Sequence, residues 1–576
     1  MDRKKFLELT IGGGSVLASA PLYAFSSFNK SLKAQSERLE NSEVLNADVV
    51  IAGGGLGGCA SALSALRNNL NVILTEETDW IGGQLTQQGV PPDEHRWIES
   101  HGSSQLYRKF RTSIRQYYQR NYPLTEAAKA NDLFNPGDGS VSRLCHEPRV
   151  ALAVLYEMLT PYITSKRLTL LLEHKITNAE VNDDQVSSLL ATDLKSNNKT
   201  LLKAPYFVDA TELGDLLPIT GTEFVTGTES KQETGELHAP DKADPDNNQA
   251  FTMCFAMDYI KSENHRIEKP KEYDFWRNFS PEMTPAWSGK LLDLNYSSPK
   301  DLKIKALGFN PEGISTAPML NLWNYRRIIN RMNFSEGFYA GDITIVNWPQ
   351  NDYILGNLIG VSAEEFKTHI ERSKQLSLSL LYWLQTEAPR PDGGKGWPGI
   401  RLRKDVMGTP DGMAKYPYVR ESRRIKAIFT ILEEHVGKEN RALVTGKKGD
   451  NSPTDFYDTV GIGSYHIDLH PSSKGNNYID FSSIPFQIPL GALLPKRMKN
   501  LLPANKNIGT THITNGCYRL HPVEWVIGES VGELIAYALK KKVFPYQVRE
   551  KSERLKDFQD VIRSQGIETH WPEQQE

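Results

Sequence analysis

The chain has 576 residues, which is too long for one simple hydrophobic core, so we expect two domains or one large composite fold. Its formal net charge is −3 with 24% charged residues, which excludes a global electrostatic attraction to nucleic acid. The 4 cysteines form no C-x-x-C pair, which argues against a disulfide scaffold, an iron–sulfur cluster or a cysteine zinc site.

The first 25 residues have the layout of an export signal. Arg3, Lys4 and Lys5 precede a short, weakly apolar stretch that ends in small residues near Ala24. The Phe-Leu pair after the basic residues is similar to a twin-arginine signal with Lys4 in place of one arginine, and a Sec signal or an uncleaved anchor stays open. We therefore expect a periplasmic or otherwise exported protein with no stable membrane span in its mature chain. A polar linker is expected over residues 26–46.

The most informative segment is an apolar strand that breaks into glycines and continues into a helix. The run Val49–Ala52 is followed by Gly53, Gly55 and Gly58 at G-x-G-x-x-G spacing, and a helix is predicted over 59–70. Gly53 allows a tight turn, Gly55 lets a pyrophosphate approach the backbone, and Gly58 lets helix and strand pack closely. The helix N-terminus offers unpaired N–H groups and its positive dipole end to phosphates.

A second apolar strand follows this helix and ends at Glu76, about 20 residues after the glycines, where a carboxylate can bind both hydroxyls of an adenosine ribose. Strand, glycine turn, helix, strand and acid together predict a dinucleotide-binding crossover. An ordinary glycine-rich turn is the alternative.

Apolar runs and chain breaks predict the later elements. The glycine pair Gly82-Gly83, followed by Gln84, allows the backbone to approach a ligand. The region from 250 to 470 lacks a βαβ rhythm and carries many Trp, Tyr and Pro residues, which indicates an inserted substrate domain. The other predicted elements are a helix over 150–159, a strand over 168–173, a β-rich segment that leads to 204–215, an exposed loop over 229–249, strands near 487–494 and 501–502, and a final helix over 523–539.

These elements predict an α/β fold, with a discontinuous Rossmann-like domain around a parallel sheet and an inserted α+β substrate domain. The predicted boundaries are 47–90, 145–228 and 480–545 for the nucleotide-binding domain, 91–144 for a helical insertion, 229–479 for the substrate or cap domain, and 546–576 for a C-terminal tail.

Several separate motifs carry a family resemblance. They are Gly53–Gly58 with Glu76, Gly82–Thr86, Phe207–Asp215, Tyr418–Ile425, Ile488–Lys496, Asn500–Ala504, Thr511–Arg519 and Gly528–Gly532. In this order they resemble flavoproteins with the glutathione-reductase-like FAD-binding fold, and the chain is identified as a member of the bacterial family of FAD-dependent oxidoreductases. The glycine pair and the returning C-terminal strand–helix unit favour FAD over NAD.

The resemblance implies a set of cofactor-binding residues and leaves one of them open. The implied residues are Gly53, Gly55, Gly58, Glu76, Gly83, Gln84, Asp209, Thr211 and Gly528. Many relatives of this fold carry a Gly-Asp pair whose acid holds the ribityl chain, but residues 504–508 read Ala-Asn-Lys-Asn-Ile here. The group that holds the ribityl chain is therefore not predicted. The N-terminus of the final helix can supply N–H donors near the flavin.

Oxidation of an alcohol or amine needs a base, and histidine is the usual choice near neutral pH. His512 and His521 lie in the C-terminal flavin motif, and alternation along a predicted strand places His466, Asp468 and His470 on one face. We take His512, His521 and His470 as catalytic candidates; a structural, hydrogen-bonded histidine is the alternative for each. The His-x-Asp-x-His trio could also bind a metal, but further ligands are not evident, so no metal is predicted.

Arg420, Arg423 and Arg424 form a cationic cluster beside Glu421. Arg420 is the catalytic or substrate-binding candidate, because a guanidinium suits planar anions; the alternative is that Arg–Glu pairs join the inserted domain to the sheet. The segment 347–353 combines tryptophan, tyrosine and amides, as carbohydrate sites do, or forms a packed turn.

The leading hypothesis is an exported FAD-dependent dehydrogenase or oxidase. It would take hydride from a C–OH or C–N carbon of a small polar substrate, such as a sugar derivative, and pass electrons to a separate acceptor. The alternatives are a flavin-dependent reductase of an activated double bond with an arginine as proton donor, and a non-redox binding protein on a flavoprotein scaffold.

Overall fold

A computed structural model describes residues 43–313, 316–447, 449 and 452–572. The predicted signal peptide over 1–25 and most of the linker therefore lie outside the described residues. The strands are β1 (Glu43–Asn46), β2 (Val49–Ala52), β3 (Val72–Glu76), β4 (Leu168–Leu172), β5 (His174–Asn182), β6 (Gln185–Asp193), β7 (Lys199–Lys203), β8 (Tyr206–Asp209), β9 (Phe224–Val225), β10 (Phe251–Thr252), β11 (Phe255–Tyr259), β12 (Asn295–Ser297), β13 (Ile304–Ala306), β14 (Arg327–Ile329), β15 (Ile343–Val346), β16 (Asp352–Tyr353), β17 (Ile400–Leu402), β18 (Arg424–Ile425), β19 (Thr459–Gly463), β20 (Ile467–Leu469), β21 (Ile479–Phe481), β22 (Phe486–Pro489) and β23 (Leu501–Pro503).

The helices complete the list of elements. They are α1 (Leu56–Arg67), α2 (Gln105–Asn121), α3 (Glu126–Lys129), α4 (Pro148–Thr164), α5 (Leu216–Thr220), α6 (Lys231–Thr234), α7 (Tyr273–Asn278), α8 (Leu322–Tyr325), α9 (Ala363–Thr386), α10 (Lys404–Met407), α11 (Glu433–Val436), α12 (Lys438–Thr445), α13 (His512–Tyr518), α14 (His521–Lys541), α15 (Pro545–Glu550) and α16 (Ser552–Ser564).

A parallel sheet lies at the centre of the fold, with strand order β23-β8-β2-β3-β4. Successive side chains of β2 point to opposite faces of this sheet. Val49 and Ile51 pack into the larger core with α1 and α14, whereas Val50 and Ala52 pack into a smaller core with Leu189 and Leu202 of the neighbouring sheet β1-β7-β6-β5. Burial on both faces explains why the sequence of β2 is continuously apolar.

The carboxyl ends of β2, β3, β8 and β23 meet at one edge of the sheet because the strands are parallel. The glycine turn, Glu76, Asp209 and Asn505 all follow or end these strands. Ligands of open α/β sheets bind at this edge, so the fold itself positions the predicted nucleotide residues together.

Helices α1 and α14 pack against each other through glycines. A Cβ atom added at Gly528 would lie 2.0 Å from the Gly57 carbonyl oxygen, and one added at Gly57 would lie 1.7 Å from the Ala504 carbonyl oxygen. Only glycine permits this approach at either position. Gly528 therefore contacts the first turn of α1 in the structure.

A mixed region lies beyond this edge, around the antiparallel sheet β14-β15-β11-β17 and the 24-residue helix α9. Helix α9 begins with a capping box in which Ser362 and Glu365 exchange hydrogen bonds with the backbone N–H groups of the first turn. Its buried face includes Leu376, Leu380 and Leu384, at helical spacing. This region carries the segment 347–353 and Arg420.

The predicted final helix corresponds to α14, but it does not end the fold. Two further helices, α15 and α16, occupy residues predicted as a tail. Leu555, Phe558 and Ile562 of α16 are buried, and the ring centroid of Phe558 lies 5.3 Å from that of Tyr537 on α14. The i, i+3, i+7 spacing of these apolar residues is typical of a docked amphipathic helix, so this part of the predicted C-terminal segment packs against α14.

All four cysteines lie in the described part of the chain, where each is free and buried. Within those same residues, no helix is both long and apolar enough to cross a membrane.

Candidate active site

The glycine turn between β2 and α1 combines two glycines packed against backbone with one whose nearest neighbour is a side chain. Gly53 has φ +95°, and a Cβ atom there would lie 2.3 Å from the Ala210 carbonyl oxygen; a Cβ atom at Gly58 would lie 2.1 Å from the Gly53 carbonyl oxygen. Gly55 has φ −60°, and the nearest atom to its added Cβ is Glu212 Oε1 at 3.0 Å. A Cβ atom at Gly55 would thus meet a flexible side chain first, with the Ala210 carbonyl oxygen at 3.4 Å.

Glu76 ends β3 with its carboxylate directed at the glycine turn. Its Oε2 accepts the Gly54 N–H at 2.9 Å, and its Oε1 accepts from the Thr78 N–H at 2.9 Å and the Gln87 Nε2 at 2.8 Å. Burial raises the pKa of Glu76 to about 7. Glu76 lines a small cavity together with Gly53, Gly55, Thr211, Glu212 and Tyr416.

Asp209 ends β8, Thr211 follows it, and the two residues hold the next turn. Asp209 Oδ1 accepts the Thr211 N–H at 3.1 Å and the Thr211 hydroxyl at 2.6 Å, while its Oδ2 accepts the Leu216 N–H at 3.1 Å. Burial raises the pKa of Asp209 to about 7. The Asp209 carboxyl is thus used by the protein's own turn, whereas Thr211 reaches the cavity beside Glu76.

A glycine loop after β3 packs against the glycine turn. Gly82 has φ +108°, its N–H donates to the Gly54 carbonyl oxygen at 2.7 Å, and a Cβ atom added at Gly83 would lie 3.0 Å from Gly55 Cα. Gln84 Nε2 donates to the Arg519 carbonyl oxygen at 3.0 Å and to the Glu524 carboxylate. The loop thus connects the glycine turn to the start of α14.

A second, larger cavity of 180 Å³ lies near this loop and has a polar, aromatic lining. Its lining residues include Asp93, Tyr296, Tyr325, Arg326, Asn347, Trp348, Tyr418, Arg420, Tyr465, His466, Asp468, His470, Tyr478, Asp480 and Arg519. Arg519 joins the two regions, because it lines this cavity and its carbonyl oxygen accepts from Gln84. Tyr418 lines the same cavity, and Tyr416 lines the cavity at the glycine turn.

Each of the three cavity arginines pairs with an aspartate. Arg326 lies 3.4 Å from Asp93, Arg420 lies 3.0 Å from Asp352, and Arg519 lies 3.0 Å from Asp468. The positive charges are therefore largely neutralised within the protein, and the cavity suits a neutral polar molecule.

His470 is oriented by Asp352. His470 Nδ1 lies 2.6 Å from Asp352 Oδ2, and its Nε2 lies 3.6 Å from Asp468 Oδ2. Burial opposes ionisation of Asp352, but the charge of Arg420 and the hydrogen bonds from His470 and Thr252 lower its pKa below the ordinary value. Because Asp352 is ionised, His470 donates from Nδ1, and its Nε2 faces the cavity beside the Asp468 carboxylate.

His521 begins α14 and is fully buried. Its Nδ1 accepts the Asp93 N–H at 3.0 Å, and burial lowers its pKa to about 4, so the ring is neutral near pH 7 with its proton on Nε2. That Nε2 has no hydrogen-bond partner among the described residues. His521 therefore presents an unused donor next to the cavity residue Asp93.

His512 belongs to a separate ion-pair cluster at the start of α13. Its Nδ1 lies 2.8 Å from Glu421 Oε1, and its backbone N–H donates to Glu229 at 2.9 Å. Arg424 bridges the same two carboxylates at 2.5 and 2.8 Å. The structure thus brings His470 and Arg420 into one cavity and places His512 with Glu421.

Several buried polar atoms near the two glycine segments have no partner in the part of the chain that the structure describes. They are Gln84 Oε1, Gln88 Oε1 and Nε2, and Glu212 Oε1. Buried polar groups are normally hydrogen-bonded, so this set indicates that a polar ligand satisfies them.

The family comparison gives this ligand a chemical identity. A family model described as FAD dependent oxidoreductase matches residues 48–562. The chain belongs to this family. Its cofactor is FAD, and the glycine cradle at Gly55, the carboxylate of Glu76 and the unpartnered polar atoms fit it. As a flavoenzyme of this family, the protein is an oxidoreductase.

The other comparisons cover a smaller part of the chain or show a lower similarity. The carotenoid phi-ring synthase of Chlorobaculum tepidum is 30% identical over 150 residues, which cover 24% of this chain and 22% of that protein. The chain thus spans less than a quarter of the curated relative that it matches. Among solved structures, the p-nitrophenol 4-monooxygenase PnpA from Pseudomonas putida has TM-score 0.34 and 10% identity, covering 92% of this chain and 88% of its own. The OxyS anhydrotetracycline hydroxylase from Streptomyces rimosus has TM-score 0.32 and 10% identity, covering 90% and 66%.

Sequence reasoning missed several residues of the site. Asp352 and Arg519 stand inside motifs that the sequence singled out, but their partners are distant in the chain, so no local signal linked them to His470 or Tyr418. No feature of the sequence pointed to Arg326 or Asp93. Glu212 and Lys506 were visible only as members of longer motifs.

Proposed function

We propose that this FAD-dependent oxidoreductase is an exported dehydrogenase or oxidase. It takes hydride from a C–OH or C–N carbon of a small polar substrate, such as a sugar derivative, and passes the electrons to a separate acceptor. One observation carries the proposal: His470, held by the ionised Asp352, presents Nε2 to a polar cavity that adjoins the cofactor loop through Arg519.

The lining of the cavity supports the substrate class. Three buried polar atoms of the lining have no hydrogen-bond partner among the residues that the structure describes: Asn347 Nδ2, Trp348 Nε1 and Tyr478 Oη. Such atoms can bind substrate hydroxyl groups, while the aromatic rings stack on the apolar faces of a sugar-like ring. The pairing of each arginine with an aspartate favours a neutral polyol over a strongly anionic substrate.

The residues divide the reaction between them. The bound flavin supplies the hydride acceptor. His470 Nε2 takes the hydroxyl proton of the substrate, and Asp352 stabilises the imidazolium that results. Arg420 keeps Asp352 ionised, and Arg420 also donates to the Ala250 carbonyl oxygen at 2.8 Å and to the Thr252 hydroxyl at 3.0 Å, which fixes its position.

A second candidate is a reductase of an activated double bond, with an arginine as proton donor. The three guanidinium groups in the cavity favour it, because the Nε atoms of Arg326, Arg420 and Arg519 have no partner in the described structure. However, each of these arginines is paired with an aspartate, and a guanidinium neutralised in this way attracts an enoate carboxylate only weakly. The ion pairs therefore disfavour the reductase.

Anaerobic titration of the purified flavoprotein distinguishes the two. We expect a polyol, hydroxy acid or amine to bleach the flavin absorbance and an added dye to restore it. If no such compound bleaches the flavin, and an enoate but no dye reoxidises flavin that was reduced by an artificial donor, the reductase is correct instead. The variant His470→Ala should keep the flavin spectrum and lose bleaching by the substrate.

A further inference from the structure

A buried lysine lies beside the predicted cofactor edge of the sheet. Lys506 is 2% exposed, follows β23, and its ammonium contacts the Glu212 carboxylate and Asn505 Oδ1, the latter at 3.1 Å. A lysine this deeply buried needs a compensating charge, which Glu212 supplies in the structure. The pair spans 294 positions of the chain.

The Glu212 carboxylate lies in the gap between the two glycine segments. Its Oε1 would be 3.0 Å from a Cβ atom added at Gly55 and 3.1 Å from one added at Gly83. Glu212 is 8% exposed, and this Oε1 has no hydrogen-bond partner among the residues that the structure covers. One carboxylate oxygen therefore holds Lys506, and the other points unpaired into the gap that Gly55 opens for a diphosphate.

A further carboxyl group engages the first turn of α1. Glu524 Oε1 accepts the Gly57 N–H at 3.1 Å. The first-turn N–H groups of such a helix are the donors that bind phosphates. Two glutamate side chains thus occupy positions around the turn where the anionic part of FAD binds, and Lys506 contacts one of them, Glu212.

We propose that Lys506 binds the diphosphate of FAD and that Glu212 is its displaceable counter-ion. When FAD enters, the Glu212 carboxylate leaves the gap at Gly55, and the diphosphate replaces it as the partner of Lys506. The exchange keeps the buried ammonium paired in both states. The inference rests on FAD as cofactor and is independent of the substrate or direction of the reaction.

The proposal predicts opposite effects for the two partners. Lys506→Met should weaken FAD binding by about 10- to 100-fold, because a charge-assisted contact is lost. Glu212→Gln should bind FAD at least as tightly as the unchanged protein, since an anion is removed from the diphosphate site. Lys506→Arg keeps the charge and should stay within about threefold. Riboflavin has no phosphate, so its affinity should be insensitive to all three changes.

The measurement is quenching of flavin fluorescence on titration of apoprotein, and it needs no substrate. Lys506→Met leaves the Glu212 carboxylate buried without its cation. We therefore also compare the double variant Glu212→Gln/Lys506→Met with Glu212→Gln, because neither of these two proteins has a carboxylate at position 212. If Glu212→Gln weakens FAD binding as much as Lys506→Met does, the pair is a permanent structural element and the proposal fails. It also fails if riboflavin loses as much affinity as FAD. Neither result bears on the proposed dehydrogenase reaction, which is tested by substrate bleaching.

Discussion

Asp352 and His470 lie 118 positions apart in the chain and meet at 2.6 Å between Oδ2 and Nδ1. The same aspartate pairs with Arg420 at 3.0 Å and accepts the Thr252 hydroxyl at 2.6 Å. These contacts hold the imidazole in one orientation and one tautomer, with Nε2 towards the cavity. A general base needs this control, because only the correct tautomer can take a proton from the substrate.

The first prediction concerns His470. His470→Ala should lower the rate of flavin reduction by substrate by about 100- to 10,000-fold, because the proton acceptor is lost. The measurement is stopped-flow flavin absorbance without oxygen. His369→Ala is the matched control: His369 bonds the hydroxyl of Tyr353, the residue next to Asp352, at 2.9 Å. A rate that falls equally in both variants would exclude His470 as the base.

The second prediction concerns the charge balance of Asp352. Arg420→Met should lower the free energy of unfolding by about 3 kcal/mol, because it removes one partner of a buried ion pair. Arg420→Met/Asp352→Asn should recover part of this loss, since the uncompensated carboxylate is gone. Arg497→Met removes two surface pairs, with Glu223 and Asp184, whose arginine side chain is 38% exposed, and it should cost less than about 1 kcal/mol. Urea unfolding of the three variants checks this order; equal losses for Arg420→Met and the double variant would contradict it.

The third prediction separates binding from packing in the glycine turn. Gly55→Ala should fold, because φ is −60° and the nearest atom to the new methyl group belongs to a side chain. It should weaken FAD binding by about 100-fold or more, since the methyl group enters the diphosphate site. Gly57→Ala should instead fail to fold stably, because its Cβ would lie 1.7 Å from the Ala504 carbonyl oxygen. Circular dichroism and FAD titration distinguish the two; a Gly55→Ala protein that binds FAD normally would refute this role for Gly55.

The fourth prediction is a pH dependence of stability. Burial raises the pKa of Glu529 from 4.5 to about 7, so the folded state holds the proton more tightly than the unfolded state. Stability from this group is present below pH 4.5 and is lost as pH rises through about 7. Glu529→Gln should therefore match the unchanged protein near pH 4.5 and become more stable than it by about 1–3 kcal/mol at pH 8. Denaturation at both pH values measures the difference; a constant difference would contradict the raised pKa.

The glycine crossover illustrates how much local pattern can reveal. The strands β2 and β3 and the helix between them were predicted, but the helix was placed at 59–70 and lies at Leu56–Arg67. The shift arises because Gly57 and Gly58 were assigned to the turn. They lie in the first turn of the helix, and they are glycines because this turn packs against Ala504 and Gly53 at distances that no side chain allows.

The histidine candidates illustrate the opposite case. Alternation correctly placed His466, Asp468 and His470 together, and all three line the cavity. His512 and His521 stand in the same flavin motif and looked equivalent, but one pairs with Glu421 and the other is buried beside Asp93. Their partners come from other elements, so no feature of the motif distinguished them.

The amino-acid sequence by itself determined the nucleotide crossover, the acid at its second strand and the family to which the chain belongs. The crossover and its acid depend on hydrogen bonds and apolar spacing within a few dozen residues, so they are visible in order along the chain. The family followed from the resemblance of several motifs between Gly53 and Gly532. Only the tertiary structure decided that Asp352 orients His470 and that Glu212 faces Lys506. Each pair joins residues from distant segments of the chain, so it forms only when those segments pack together. A charge that is buried by this packing needs a partner, and the local sequence does not show which charges become buried.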